Sequence, residues 1–259
     1  MSVARLIAWW SAGTTSAVAC ALAVRELAPA FDEVVVAYCA SVESAEHPDN
    51  ARFRAECERW YGVPIVRLYS AKYADLTDVF EKRKYVAGIG GAPCTQWLKK
   101  AVREEFQRDD DVHVFGFDDG EHDRAADFAA SHEIAVRFPL IERGLSHQDC
   151  DAIVEAAGVA LPAMYRLGYK NNNCIGCVKG GAGYWNKIRS DFPDVFAQRA
   201  EMTRRLGCRL LAITVGGTRK RIFLDELPEG VGRYEAEPAI ECGIGCNATL
   251  ATIARKDTP

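Results

Sequence analysis

Residues 5–27 read RLIAWWSAGTTSAVACALAVREL, and this stretch decides the fold. The apolar run Arg5 to Trp10 predicts a strand. It breaks at the small polar residues Ser11 to Ser16, and the Ala-rich stretch Ala17 to Leu27 then favours a helix. Outward from there, Glu33 to Cys39 is β-branched and almost wholly apolar, as in a strand covered on both faces. Asp49 or Asn50 is placed to cap a helix running through Trp60, Gly62 to end it, and Pro64 to Tyr69 to form a third strand. Ala71 to Arg83 predicts a helix. The glycine-bearing loop Tyr85 to Pro93 then delivers Cys94 to a further helix, Thr95 to Phe106. Asp111 to Phe117 and Ala135 to Leu140 read as two more strands. Strands alternating with helices predict an α/β domain with a parallel sheet over residues 1–145. From Ser146 the pattern changes to a helix, Gln148 to Ala157, and a cysteine-bearing segment, which predicts a smaller, mostly helical part over residues 146–259.

With 259 residues, 49% of them hydrophobic and 26% charged, the composition is that of a globular protein and excludes a disordered, collagen-like or coiled-coil chain. Apolar runs are short and interrupted by charges such as Arg25, Asp32 and Glu33, so no membrane span or membrane partner is expected. The first residues lack the basic, apolar and small-residue succession of a signal peptide, and the expected location is the cytoplasm. A net charge of −4 removes bulk attraction to phosphate backbones. It leaves Arg199 to Arg221, with Arg204, Arg205, Arg209, Arg219 and Lys220, as a local surface for phosphates. Ten cysteines in a reducing compartment point to buried thiols, metal ligands or redox chemistry.

The loop Ser11-Ala12-Gly13-Thr14-Thr15-Ser16 lies where an open parallel sheet binds phosphate: at a strand's carboxyl end, facing free amides and the positive end of a helix. Four hydroxyls, on Ser11, Thr14, Thr15 and Ser16, add donors. A plain capped turn is an equally weighted reading, and the loop matches neither GxxxxGK[ST] nor GxGxxG. Cys174-Ile-Gly-Cys177 and Cys242-Gly-Ile-Gly-Cys246 are close pairs, and Cys94 opens a helix, where the dipole favours thiolate. Zinc and an iron–sulfur cluster both accept four thiolates, and spacing does not choose between them. Buried thiols or a regulatory disulfide are the plainer reading. Cys20, Cys39, Cys57, Cys150 and Cys208 fall in apolar or helical patterns and are assigned to packing.

Lys99 and Lys100 follow Cys94 by about one helical turn and could reach a phosphate or sulfonate; a solvated helix face is the alternative. Glu121 and Arg124 lie beyond the strand ending at Phe117, on the ligand side of the sheet, or form a helix-start ion pair. Asp49 and Asn50 are read as caps before ribose contacts. Tyr184-Trp185-Asn-Lys187-Ile-Arg189 could stack a base, though core plus a charged rim is the commoner meaning.

Five blocks taken together resemble a known family. They are Trp10-Ser-Ala-Gly-Thr-Thr-Ser16, Glu46-His-Pro-Asp-Asn50, Cys94-Thr-Gln-Trp-Leu-Lys99, Gly116-Phe-Asp-Asp-Gly-Glu121-His-Asp-Arg124, and Tyr165-Arg-Leu-Gly-Tyr-Lys-Asn-Asn-Asn-Cys174-Ile-Gly-Cys177. In this order they are similar to the PP-loop (SGGxDS) adenine nucleotide alpha-hydrolase and phosphoadenosine-phosphosulfate (PAPS) reductase superfamily. The likeness is to its phage and mobile-element members and, more distantly, to the sulfur-transfer enzyme of DNA phosphorothioation. The resemblance implies a Rossmann-like HUP fold holding an adenine nucleotide, ATP or PAPS, on residues 11–16. It also implies roles for Lys99, Glu121 and Arg124 in catalysis, and a [4Fe–4S] cluster on Cys94, Cys174, Cys177 and Cys246, with Cys242 the alternative fourth ligand and zinc the alternative metal.

Ala12 and Thr15 stand where that loop carries glycine and aspartate. Without the aspartate, Mg²⁺-assisted release of pyrophosphate would draw on acids elsewhere, with Glu43, Asp118 and Glu121 the candidates. The leading expectation is ATP-dependent, AMP- and pyrophosphate-forming sulfur transfer to an acceptor such as a nucleoside or nucleic acid. Thiol-dependent reduction of a sulfonucleotide to sulfite is the second, with Cys242 or Cys246 as nucleophile. A nucleotide-binding partner or sensor without catalysis is the third.

Overall fold

The structure is a computed structural model that describes residues 4–87, 91–132, 134–240 and 242. In chain order the elements of the sheet region are β1 (Arg5–Trp9), α1 (Thr14–Leu22), β2 (Glu33–Cys39), α2 (Asn50–Tyr61), β3 (Ile65–Leu68) and α3 (Leu76–Arg83). They continue with α4 (Pro93–Thr95), α5 (Ala101–Phe106), β4 (Val112–Val114), α6 (His122–Ser131) and β5 (Ala135–Arg137). Beyond them lie α7 (His147–Ala156), α8 (Ala163–Arg166), α9 (Ala182–Asp191), α10 (Pro193–Arg205), β6 (Leu211–Val215) and β7 (Thr218–Ile222).

The first five strands form one parallel sheet in the order β3-β2-β1-β4-β5, a Rossmann-like α/β arrangement as expected. β1 is central and buried along its whole length, with Leu6 opposite Val34 on one side and Val112 on the other. Successive side chains of a strand point to opposite faces. Leu6, Ala8 and Trp10 accordingly enter the larger core with Val36, Tyr38 and Phe53, whereas Ile7 and Trp9 enter a second core with Phe115, Phe117 and Phe128. The larger core also takes in Cys94, Cys174, Trp185 and Leu224, so the cysteine-bearing segment packs against that face. Among the described residues no helix is long and apolar enough to cross a membrane.

Several elements differ from their sequence reading. α1 starts at Thr14, and its expected tail over residues 23–27 is a π-helical turn. α3 begins only at Leu76, because Asp75 caps it by accepting from the Asp78 amide and the residues before are irregular. β4 and β5 are shorter than the apolar runs Asp111 to Phe117 and Ala135 to Leu140 suggested; the Phe115 amide still bonds the Arg137 carbonyl, and residues 116–118 leave the sheet at its carboxyl edge. Asp49 precedes α2 without capping it; its carboxylate binds Arg52 and accepts from the Ala163 amide instead. The C-terminal part is not solely helical: β6 and β7 form an antiparallel hairpin turned by Gly216 and Gly217, both at positive φ (56° and 79°). Paired positive φ values are what a tight two-residue hairpin turn requires.

Candidate functional site

In a sheet ordered 3-2-1-4-5 the connections leave β1 and β4 in opposite directions, and ligands bind at the crevice this opens beyond the strands' carboxyl ends. A cavity of about 470 Å³ occupies that place. Ser11, Gly13, Thr15 and Ser16 line it from the loop after β1, and Gly116 and Phe117 from the chain after β4. Gly116 is required there: a Cβ on it would lie 2.7 Å from both Cα and N of Ser16. Glycine lets the two crossing backbones touch.

The loop is held from within. Ser16 Oγ accepts from the Ser11 amide (3.0 Å) and donates to the Gly13 carbonyl (2.8 Å), a clasp across the turn. The N-cap residue Gly13 makes no side-chain cap, and the Tyr165 hydroxyl accepts from the Thr14 amide at the first turn of α1; amides at such helix starts are the groups that bind phosphate. Of the four hydroxyls expected as donors, Ser16 is committed to the clasp, and Thr14 is fully buried and absent from the lining. Ser11 and Thr15 remain. Ala12 sits at φ +63° and is fully buried. That left-handed conformation costs a non-glycine residue roughly 1 kcal/mol.

Glu121 and Arg124 both line the cavity and are ion-paired with one another. Burial raises the Glu121 carboxyl above its usual range although Arg124 opposes this. Asp118, on the same rim, accepts from the Gly120 amide and lies 3.8 Å from His147 Nδ1. Glu43 is elsewhere, engaged with Arg54 and Arg67, and does not line the cavity. Lys170 and Asn172 close the far wall.

A group of thiols adjoins this cavity through Cys242. Cys242 lines it, and Cys177 donates a hydrogen bond to the Cys242 sulfur; with Lys99 and Lys179 this holds Cys242 well below the usual thiol range. The same bond, together with burial, pushes Cys177 up. Burial raises Cys174, and it raises Cys94 to about 11 with help from Cys242. The expected thiolate at Cys94 is therefore corrected: α4 is a single turn, and desolvation outweighs its dipole. The thiolate-favouring position is Cys242. Cys94 and Cys174 each feel Cys242 electrostatically, so thiols from three parts of the chain share one neighbourhood. Among the described residues, no group of three or more His, Cys, Asp or Glu already stands at metal-holding spacing. Cys246 lies outside the described residues.

Lys99 is placed on these thiols and not along the cavity lining. Its Nζ donates to the Cys242 carbonyl at 3.1 Å and approaches the sulfur at 3.8 Å. Burial works against its charge, but Cys242, Cys174 and Glu46 outweigh that and raise it.

The run Tyr184–Trp185, read as a possible stacking surface, serves the surroundings of the thiols instead. Tyr184 accepts from the Cys177 amide (2.9 Å) and donates to the Cys174 carbonyl (3.3 Å), so it shapes the CxxC turn from the core, where Trp185 is also buried. Neither is available to stack a base. A strap formed by residues 234–240, with Cys242 beyond it, lies against the cysteine segment. Glu237 accepts from the Gly183 and Tyr184 amides at the start of α9, Lys170 Nζ donates to the Glu235 and Glu237 carbonyls, and Asn173 donates to the Ile240 carbonyl. The signal available in sequence was the Asn-rich run beside the CxxC. Of the basic stretch, Arg204 pairs with Asp225 and Glu226 and Arg205 with Glu81, whereas Arg219, Lys220 and Arg221 are exposed on β7.

Compared with known proteins, the chain matches no protein-family model and no curated protein.

Proposed function

We propose that the chain is an adenine-nucleotide-dependent enzyme of sulfur chemistry, in which an activated nucleotide and a cysteine centre share one cavity. One observation carries this reading: the cavity that begins at the start of α1 also takes in Cys242. The phosphates would lie on the loop of residues 11–16, of which Ser11, Gly13, Thr15 and Ser16 line the cavity. Lys170 supplies positive charge on the facing wall, and Asp118 and Glu121 are the acids in place for Mg²⁺. In the leading form of the reaction, an acceptor oxygen attacks the α-phosphorus of ATP, pyrophosphate leaves, and sulfur then displaces AMP from the activated acceptor. Glu121 and Arg124 are the rim groups for orienting acceptor and phosphate.

The donor chemistry of Cys94, Cys174, Cys177 and Cys242 suits a thiolate-held group, and Lys99 and Lys179 offset the negative charge that such a group brings. A [4Fe–4S] cluster held there would supply a site that carries sulfide or passes electrons. We assign the fourth position to Cys242, which already lies beside Cys177. Zinc on the same thiols would make the centre structural.

A second reading is favoured by the Cys177–Cys242 pair itself. The Cys242 thiolate would attack the sulfonate sulfur of PAPS, expelling the nucleotide. Cys177 would then displace sulfite from the sulfur-bound sulfonate and leave a disulfide, which a dithiol reductant reopens.

Anaerobic purification followed by an absorption spectrum, metal analysis, and assays for pyrophosphate from ATP and sulfite from PAPS tests both. Broad absorption near ~400 nm with roughly four irons per chain, lost in Cys174→Ala and Cys242→Ala, together with pyrophosphate release, supports sulfur transfer. A metal-free protein that makes sulfite supports the reductase reading. ATP binding without either product would leave a nucleotide-binding partner or sensor.

A further inference from the structure

A buried polar chain runs from the loop, by way of Asn172 in the cavity wall, back to β2. Asn172 Nδ2 donates both of its hydrogens: to the Ala12 carbonyl at 2.7 Å and to Asn50 Oδ1 at 2.8 Å. Asn50 Nδ2 in turn donates to Glu46 Oε2 at 3.0 Å, and the same oxygen accepts from the Tyr38 hydroxyl at 2.7 Å. Asn172 and Asn50 are each 4% exposed and Glu46 7%. Every link is thus fixed by the next, back to β2. Next to Glu46, the Ala45 carbonyl accepts from the Ile175 amide, which ties the CxxC turn to the same short segment.

The front end of the chain is the informative one. Ala12 is at φ +63°, a conformation alanine leaves readily unless held. A trans peptide sends its C=O and the following N–H in opposite directions. With the Ala12 carbonyl drawn onto Asn172, the Gly13 N–H is turned the other way, and Gly13 lines the cavity.

We propose that Asn172 is the positioning residue of the nucleotide loop: its amide holds the Ala12–Gly13 peptide in the one orientation that presents the Gly13 N–H to an anion. The proposal rests on the nucleotide reading above. It also accounts for an alanine at this left-handed position, since the external hydrogen bond supplies the constraint that makes the strained alanine tolerable. Asn50 and Glu46 act behind it by fixing the amide's plane.

The test is calorimetric titration of the intact protein with ATP and, separately, with PAPS, for wild type, Asn172→Ala and the double variant Ala12→Gly/Asn172→Ala, each with its thermal unfolding curve. Asn172→Ala is expected to weaken binding by tenfold or more. The double variant is expected to recover most of that loss, because glycine adopts φ +63° without being held, while the unfolding temperature stays lowered. Unchanged binding in Asn172→Ala overturns the proposal, and so does a loss that Ala12→Gly does not restore, which would make the role merely structural. Asn172→Ser serves as the milder variant where Asn172→Ala does not fold.

If the wild type binds neither nucleotide, the nucleotide reading fails on its own, and hydrogen exchange of the ligand-free loop decides the positioning claim. Amides over residues 12–16 should exchange at least tenfold faster in Asn172→Ala. Equal rates would overturn it.

Discussion

The ammonium group of Lys99 is bound to Cys242, 143 residues further along the chain, at 3.1 Å from its carbonyl oxygen and 3.8 Å from its sulfur. One buried lysine therefore both anchors the strap and stabilises negative charge on the sulfur at its end. Burying an ammonium is costly unless it is paired and hydrogen-bonded, and this lysine finds its counter-charges in the thiols and Glu46. Lys99→Met is expected to raise the Cys242 thiol, so that alkylation of Cys242 in reduced, metal-stripped protein is slower at pH 7 and its pH–rate curve moves to higher pH. Mass spectrometry of the Cys242 peptide reads this directly. A curve that does not move would remove Lys99 from thiolate stabilisation.

Gly116→Ala introduces a Cβ 2.7 Å from the Ser16 backbone, which has no room to yield without moving the loop. Overpacking of this kind costs roughly 1–3 kcal/mol. The expected result is a lowered unfolding midpoint in urea together with loss of ATP affinity of tenfold or more. Stability lost without any change in affinity would place the loop outside the nucleotide site.

His113 is fully buried beneath the cavity, where Trp9 Nε1 donates to its Nδ1 at 3.0 Å. Burial lowers its pKa to about 4, against 6.5 for a free imidazole. The unfolded chain binds this proton first, so stability is full above about pH 6.5 and falls as the pH drops toward about 4; the total is at most about 3 kcal/mol. His113→Gln keeps an acceptor for Trp9 and removes the titration. Urea midpoints measured from pH 7 to pH 4 should fall less steeply in the variant, and parallel slopes would refute the assignment.

The basic stretch divides into two surfaces. Arg204 and Arg205 are held by Asp225, Glu226 and Glu81, while Arg219 and Arg221 share the outer face of the hairpin with Thr214 and Ala212 as cross-strand partners. Nucleic-acid affinity is therefore expected from the hairpin. In fluorescence anisotropy with a short DNA duplex, Arg219→Ala/Arg221→Ala should flatten the log–log dependence of affinity on salt by about 2. Arg204→Ala/Arg205→Ala should leave that slope unchanged; a larger effect from the helix pair would reverse the assignment.

The sheet was legible because β1 and β2 are buried on both faces, and a strand in that position is written as an unbroken apolar run. β4 and β5 were legible in place but not in length. Phe115 and Phe117 continue the apolar pattern past the end of β4, because they cover the second core and the cavity and not a neighbouring strand. Residues 11–16 stood out by their position after β1. What could not be read there was the use of each hydroxyl, since Ser16 closes the turn on itself and Thr14 points into the core. Cysteine spacing identified the CxxC but not its companions. The approach of Cys94, Lys99 and Cys242 is made by tertiary packing over long separations, and local pattern carries no trace of it. Asn172 was hidden for a related reason: among three consecutive asparagines, only the fold distinguishes the one whose amide is buried.

The strap that brings Cys242 to the other thiols is gripped mainly by its main chain. Lys170, Asn173 and Lys99 take hold of the carbonyls of Glu235, Glu237, Ile240 and Cys242, while the strap's own side chains join the fastening through the Tyr234 hydroxyl, the Glu237 carboxylate and the Cys242 sulfur. A grip on carbonyl oxygens is indifferent to the letters that carry them. Much of the specificity of the assembly is thus written in the three donors, while the exposed Glu235 and Ala236 can be exchanged for others of compatible backbone without displacing the sulfur the strap delivers.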